Sequence, residues 1–228
     1  MINNNLGILS RLSFGLAVLA SLGATAAVPI YDNSANDLTL RYNPGTLEVG
    51  NEIFLAGTEL HLTTFSFEFY GLASGANFAG SISAQVRFYE NTGLPAFNGY
   101  PTPSATPFYD SGLFAVGVPT PRNTLVFTAG ADFPSGGLLL PSTDITWTVQ
   151  FSGMGAGDEL GVDLYGPPVV GNAYNDYWVN NGGWQVITNA ANNVIGAKLE
   201  VPEPSFVALL VLGGLGLVGS GWRIRRKH

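Results

Sequence analysis

His61 is the one histidine between the two ends of this 228-residue chain, which contains no cysteine. Those two facts narrow the chemistry at once. Without thiols there is no thiolate nucleophile, no CxxC redox pair and no Cys-ligated zinc. A serine nucleophile would have to use His61 as its base, yet no G-x-S-x-G elbow is present and His61 follows Leu60 on a predicted strand. Glycoside cleavage needs two carboxyls across a cleft, one with a raised pKa. Glu68, Glu90 and Asp144 are strand-borne acids that could converge on a concave face. With fifteen carboxylates between residues 27 and 200, such pairs arise by chance, so no catalytic residue is assigned and the chain is read as a non-enzyme.

Oxygen-rich loops offer a second kind of chemistry. The stretch GDELGVD supplies Asp158, Glu159 and Asp163, and YDNSAND supplies Asp32, Asn33, Asn36 and Asp37. Such ligands suit calcium, a hard cation. Neither stretch has EF-hand spacing, and Asp and Asn also belong in turns for local hydrogen bonding. Calcium is therefore left open, and no other cofactor is expected. A third feature is aromatic. LYGPPVVGNAYNDYWVNNGGWQ, residues 164–185, gathers Tyr165, Tyr174, Tyr177, Trp178 and Trp184 among Gly, Pro and Asn. Aromatic faces stack on sugar rings while amides bond hydroxyls, which makes these five a candidate glycan-binding set. The same side chains also cap sandwich cores with their polar tips in water.

Strands must position all of these residues. In ISAQVRFYE, Ile82, Ala84, Val86 and Phe88 share one face; in DITWTVQF, Ile145, Trp147, Val149 and Phe151 do. Period-two alternation of this kind marks half-buried antiparallel strands. TELHLTTFSFEFYG changes phase between Leu60, Leu62 and Phe65, Phe67, Phe69, which predicts a bulge near Thr63 and Thr64. Shorter strands are expected over residues 37–42, 112–116, 124–128, 160–165, 184–188 and 193–200, with Gly, Pro, Asn and Asp between them. The four prolines of GLPAFNGYPTPSATPF, residues 93–108, predict an extended surface connector. No long amphipathic helix occurs between residues 27 and 200. The fold class is all-β, a single jelly-roll-like β-sandwich ectodomain over 27–200 followed by a C-terminal single transmembrane helix.

Charge restricts partners. Residues 27–200 hold four basic residues, Arg41, Arg87, Arg122 and Lys198, against fifteen carboxylates, a net charge of −11. No nucleic acid is expected to bind such a surface, which lacks the basic footprint needed to release counterions. Residues 1–26 read as a signal peptide: LSFGLAVLA follows Arg11, and Ala24 and Ala26 flank Thr25 in the small-x-small pattern of a cleavage site. Export and the absence of cysteine are compatible, because about 174 residues can rely on a hydrophobic core instead of disulfides.

From Pro204 to Trp222 the chain has no charged residue, and Arg223, Arg225, Arg226 and Lys227 follow. As a helix, this stretch spans roughly 28 Å, close to the ~30 Å hydrocarbon thickness. Its glycines suit a bilayer better than water, and the basic tail stays cytoplasmic, so the domain faces outward. Pro202 and Pro204 interrupt any helix before the membrane. Val201, Pro202, Glu203 and Pro204, then a Leu/Gly-rich helix over 205–222, then the basic tail 223–228, together resemble the PEP-CTERM sorting signal. Trp222 and Ile224 break the basic run that the family more often keeps whole. The resemblance covers residues 201–228. It implies that exosortase, an integral membrane transpeptidase-like enzyme of Gram-negative bacteria, is the processing partner, with the membrane holding the helix until then. It further implies export through the inner membrane to the cell surface or extracellular matrix, beside exopolysaccharide and biofilm, with extracellular polysaccharide as a possible ligand of the sandwich.

Overall fold

A computed structural model describes residues 27–97, 99–188 and 193–203. Among the described residues every regular element is a strand. In chain order these are β1 (Ala27–Asp32), β2 (Asp37–Tyr42), β3 (Glu48–Phe54), β4 (His61–Leu62), β5 (Thr64–Leu72), β6 (Ser83–Glu90) and β7 (Gly93–Phe97). Then come β8 (Tyr100–Thr102), β9 (Tyr109–Asp110), β10 (Phe114–Ala115), β11 (Thr120–Thr128), β12 (Leu138–Leu139) and β13 (Asp144–Ser152). The last are β14 (Glu159–Tyr165), β15 (Asn172–Ala173), β16 (Tyr177–Asn180), β17 (Trp184–Ile187), β18 (Val194–Ile195) and β19 (Ala197–Pro202). Residues Ala27–Pro202 form one compact unit.

Two antiparallel sheets make the layers. In the first, β5 is the axis: β11 runs along one side of it, and the other side takes β19 over residues 64–67 and β14 over residues 69–72. β1 extends this sheet beyond β19, while β2 and β18 extend it beyond β14. The second sheet runs β10, β6, β13, β3, β16, β17, with β9 joining β6 and β15 joining β3. Two small pairs, β4 with β12 and the hairpin β7 with β8, complete the set. Successive long strands change sheet, from β5 to β6, β11 to β13, β13 to β14 and β16 to β19. Each such crossing requires both layers to be present for either to bury its apolar face.

The alternating residues meet in the middle. Phe65, Phe67 and Phe69 from β5 face Trp147 and Phe151 from β13, with Phe65 5.2 Å and Phe67 5.6 Å from Trp147 and Phe69 6.1 Å from Phe151. Phe88 of β6 meets Phe65 edge-on at 5.0 Å. These separations are typical of favourable aromatic pairs. The phase change falls where the pattern predicts. Thr63 lies between β4 and β5, its N–H donates to the Glu200 carbonyl at 2.9 Å, and Leu62 and Phe65 are both buried on either side of it.

Other elements differ from expectation. β3 and β16 were not anticipated, because Glu48 and Glu52 make the first look polar and the second sits in the Gly- and Asn-rich aromatic stretch. The Pro-rich stretch forms the β7–β8 pair and then returns along β6, where Phe108 N–H donates to the Phe88 carbonyl at 2.9 Å and Phe108 stacks on Phe88. β19 extends to Pro202, two residues past the expected edge of the ectodomain. Among the described residues no helix is long and apolar enough to cross a membrane. The transmembrane helix expected over 205–222 lies outside the described residues.

Gly50 marks the tightest strand approach. It stands opposite Thr148 on one side and Trp178 on the other. A Cβ there would sit 1.9 Å from the Trp147 carbonyl oxygen and 2.8 Å from Thr148 Cγ2. Gly50→Ala is expected to lower the unfolding free energy by about 1–3 kcal/mol or more. Gly183→Ala, where nothing lies within 4 Å, should stay within about 0.5 kcal/mol. Urea unfolding of the two variants measures this; equal stabilities would refute the close approach.

Candidate functional site

The outer face of the second sheet is where the polar residues converge. On β3, Val49, Asn51 and Ile53 turn inward, which turns Glu48, Gly50 and Glu52 outward. Thr146 and Thr148 of β13, Arg87 and Tyr89 of β6, Trp178 and Asn180 of β16 and Trp184 of β17 share that outer face by the same alternation. It is not left to water. Glu48, Glu52, Tyr89, Thr146, Thr148 and Trp178 are all buried, and Trp184 lies edge-on to Tyr89 at 5.0 Å. The Trp184 indole N–H reaches the Ser104 carbonyl at 3.3 Å, tying the returning Pro-rich segment to this face.

Two carboxyl groups are held here by different partners. Glu48 accepts from Tyr89 Oη (2.8 Å) and Thr148 Oγ1 (2.6 Å), and its other oxygen pairs with Arg87 Nη1 at 3.2 Å. Glu52 accepts from the Trp178 indole N–H at 3.2 Å, but its Oε1 is buried without a donor. Burial pushes the Glu52 carboxyl up to about 7; the indole bond opposes this and the neighbouring Asp144 reinforces it. Burial also raises Asp144, whose Oδ1 accepts from Asn91 Nδ2 at 2.5 Å, while Asn91 Oδ1 accepts from Thr146 Oγ1 at 2.7 Å.

Beside this pair opens a hollow of about 460 Å³ lined by Phe54, Tyr100, Asn172, Tyr174, Asn175 and Asp176. Its wall is fixed by β3. The Tyr174 N–H donates to the Glu52 carbonyl at 3.0 Å. Asn51 Nδ2 donates to the carbonyls of Tyr174 (3.3 Å) and Asp176 (3.1 Å), and Asn51 Oδ1 accepts the Ile195 N–H at 2.9 Å. Tyr100 packs against Tyr174. Phenol rings beside amides and a carboxylate offer both faces and donor–acceptor groups to a polyhydroxylated ring.

The end of the last strand is the other functional region. Val201 is 3% exposed and stands opposite Val28, Pro202 stands opposite Ala27, and Glu203 is exposed. A protein-family model described as the PEP-CTERM protein-sorting motif matches residues 200–227. The chain carries a PEP-CTERM sorting motif. The motif implies exosortase as processing partner and export through the membrane to the cell surface. No curated protein and no solved structure matches the chain. Of the residues read from the sequence, Pro204, the tail residues Arg223, Arg225, Arg226 and Lys227, and the cleavage residues Ala24 and Ala26 lie outside the described residues.

The remaining candidates of this PEP-CTERM protein are dispersed. Tyr174, Trp178 and Trp184 reach the outer face of the second sheet. Tyr177 turns into the core, 5.4 Å from Tyr42. Tyr165 is buried on the other sheet, its hydroxyl on Glu68 and its ring beneath Arg122 at 5.2 Å. Asp158, Glu159 and Asp163 serve three separate purposes. Asp158 accepts backbone N–H groups of Ala79, Gly80 and Gly155 at 2.8–2.9 Å, Glu159 accepts from Tyr70 Oη at 2.9 Å, and Asp163 pairs with Arg41 at 3.4 Å. Asp32 and Asp37 bond to Ser34 and Thr39 within their own turns, and Asn33 Nδ2 donates to the Ile195 carbonyl. Among the described residues no group of three or more His, Asp or Glu is placed to hold a metal ion. Glu68 and Asp144 lie on the outer faces of different sheets, and His61 contacts Glu59 at 2.8 Å on an exposed strand.

Sequence reading missed Glu48, Glu52, Tyr89, Asn91 and Tyr100. The signal was there for β3: EVGNEIF alternates Glu48, Gly50, Glu52 with Val49, Asn51, Ile53. Because the Glu52 pKa is raised from its ordinary 4.5 to about 7, the folded state holds a proton that the unfolded chain releases. Its stabilising contribution is full below pH 4.5 and is lost as pH rises through about 7. Glu52→Gln keeps the shape of the side chain without the titration. Wild type should therefore lose stability relative to Glu52→Gln between pH 5 and pH 8, read from paired urea titrations; parallel curves would count against the raised Glu52 pKa.

Proposed function

We propose that this chain is an exosortase-processed surface or extracellular-matrix protein whose sandwich associates with extracellular polysaccharide at the hollow beside β3. The matched motif at the end of β19 carries the sorting half of this reading. The hollow carries the other half, since its two tyrosines and its amides are the groups that stack on and bond to sugar rings. The polymer is neutral or cationic. All four cations of the sandwich are ion-paired: Arg41 with Asp163, Arg87 with Glu48 and Asp110, Arg122 with Asp37 and Glu68, Lys198 with Glu200. An acidic polymer would meet excess carboxylate and few free counter-charges.

The sandwich acts by binding rather than by catalysis. Glycosidases hold their two carboxyls about 5–9.5 Å apart, with the glycosidic bond between them. Glu52 is fully buried beside Asp144, so a sugar has no way in between them. Two measurements test the proposal. The protein exported by its own host should lose the helix and basic tail only when exosortase is present, as read by mass spectrometry of the C-terminal peptide. In affinity electrophoresis against host polysaccharide, Tyr100→Ala and Tyr174→Ala should each weaken binding about 5–10-fold, near 1–1.4 kcal/mol. An intact His228 terminus with the enzyme present would overturn the sorting half, and unaltered binding in both variants the other half.

A further inference from the structure

The sorting motif straddles the boundary of the fold. β5 supports β19 as far as Glu200, which stands opposite Thr64 and whose carbonyl accepts the Thr63 N–H. Beyond that point Val201 and Pro202 are laddered to β1 alone, opposite Val28 and Ala27. Val201 belongs to the core cluster, whereas Glu203, two residues on, is exposed. β1 therefore decides how much of the motif stays inside the sandwich. Ala27, the residue after the expected signal-peptide cut, stands opposite Pro202. In this antiparallel pair Ala27 and Pro202 lie at the same end of the two strands.

We propose that the membrane processing enzyme meets this protein as a finished sandwich, with β1 closed over β19, and severs the chain no earlier than the bond between Pro202 and Glu203. This rests on the reading that exosortase processes the chain. A peptidase needs its substrate segment extended and free of other strands, and a ladder to β1 denies it that around Val201. Opening the ladder would pull Val201 from the core and strip β1 of its strand partner. At or beyond Pro202–Glu203 the segment has no such restraint within the described residues. There the peptide C–N bond breaks, the acyl carbon bonds to water or to an amine acceptor, and the nucleophile's proton passes to the departing amine of the tail. The domain keeps Val201, so release leaves its core complete. Because β1 comes first in the chain and β19 last, the motif acquires this boundary only once the whole sandwich has closed.

A cross-link that locks the ladder tests the proposal. Pro29 and Glu200 stand opposite each other one step inside the motif, so Pro29→Cys with Glu200→Cys joins β1 to β19 and leaves Val201, Pro202 and Glu203 unaltered. Directly paired strand residues fall within disulfide range, and the compartment is oxidising. Expressed in the host with exosortase, the cross-linked protein should lose its tail to the same extent as wild type, with the same new C-terminus at Pro202 or later. A cross-linked protein that keeps its tail, while each single-cysteine variant loses it, would show that β1 must open and would overturn the proposal. The wild-type terminus gives a second reading that does not depend on the variant: a last residue at Val201 or earlier also overturns it. A wild type that keeps its tail with the enzyme present instead overturns the sorting reading, and this proposal with it.

Discussion

The packing of Phe65, Phe67 and Phe69 against Trp147 and Phe151 joins the two sheets, and the outer faces inherit their geometry from it. β5 supplies the three phenylalanines and also pairs with β11, β14 and β19. Its register therefore fixes the first sheet in two directions at once. A one-residue slip would turn Phe65, Phe67 and Phe69 outward and bring Ser66, Glu68 and Tyr70 into the core. With them would go the ion pairs that Arg122 makes with Asp37 and Glu68. The core is thus what specifies the polar surface, although it contributes no polar group to it.

The second sheet uses the same alternation to a different end. Its outward residues would ordinarily be solvated, but Tyr89, Trp178 and Trp184 lie over them and shut Glu48, Glu52, Thr146 and Thr148 away from water. A carboxylate in that position is costly unless it is paired or neutral. Glu48 takes the first course, through Arg87, Tyr89 and Thr148, and Glu52 the second, its pKa raised by burial to about 7. The two solutions sit four residues apart on one strand. Between them Gly50 lets β3 approach both neighbours closely enough for the layer to close.

The hollow and the sorting motif are positioned by this frame in different ways. Asn51 points inward from β3, yet its side-chain amide holds the carbonyls of Tyr174 and Asp176 and the N–H of Ile195. One buried amide thus links the wall of the hollow to the segment that leads into β19. The motif, by contrast, is held from outside the core by an edge strand that begins at Ala27. Edge strands are the least supported part of a sheet. β1 carries Pro29 and a register shift before Tyr31, both features that belong at a sheet edge.

Sequence alone was enough for whatever depended on local periodicity or on a linear motif. Alternation in ISAQVRFYE and DITWTVQF identified their core faces, the phase change at Thr63 marked the break before β5, and the ordered signals after Val201 named the sorting motif. Each of these is written in consecutive residues, because strand alternation and a processing tag are both properties of a short stretch. Partnership between distant residues was decided only by tertiary structure. Glu52 lies 92 residues from Asp144, a separation that the chain order does not reveal and the register of β3 on β13 does. The same holds for the dispersal of Tyr165, Tyr177 and Trp178 to three environments, and for Val201 lying under a strand from the opposite end of the chain. Side chains close in sequence diverge because a strand sends neighbours to opposite faces, and side chains far apart converge because antiparallel pairing folds the chain back on itself.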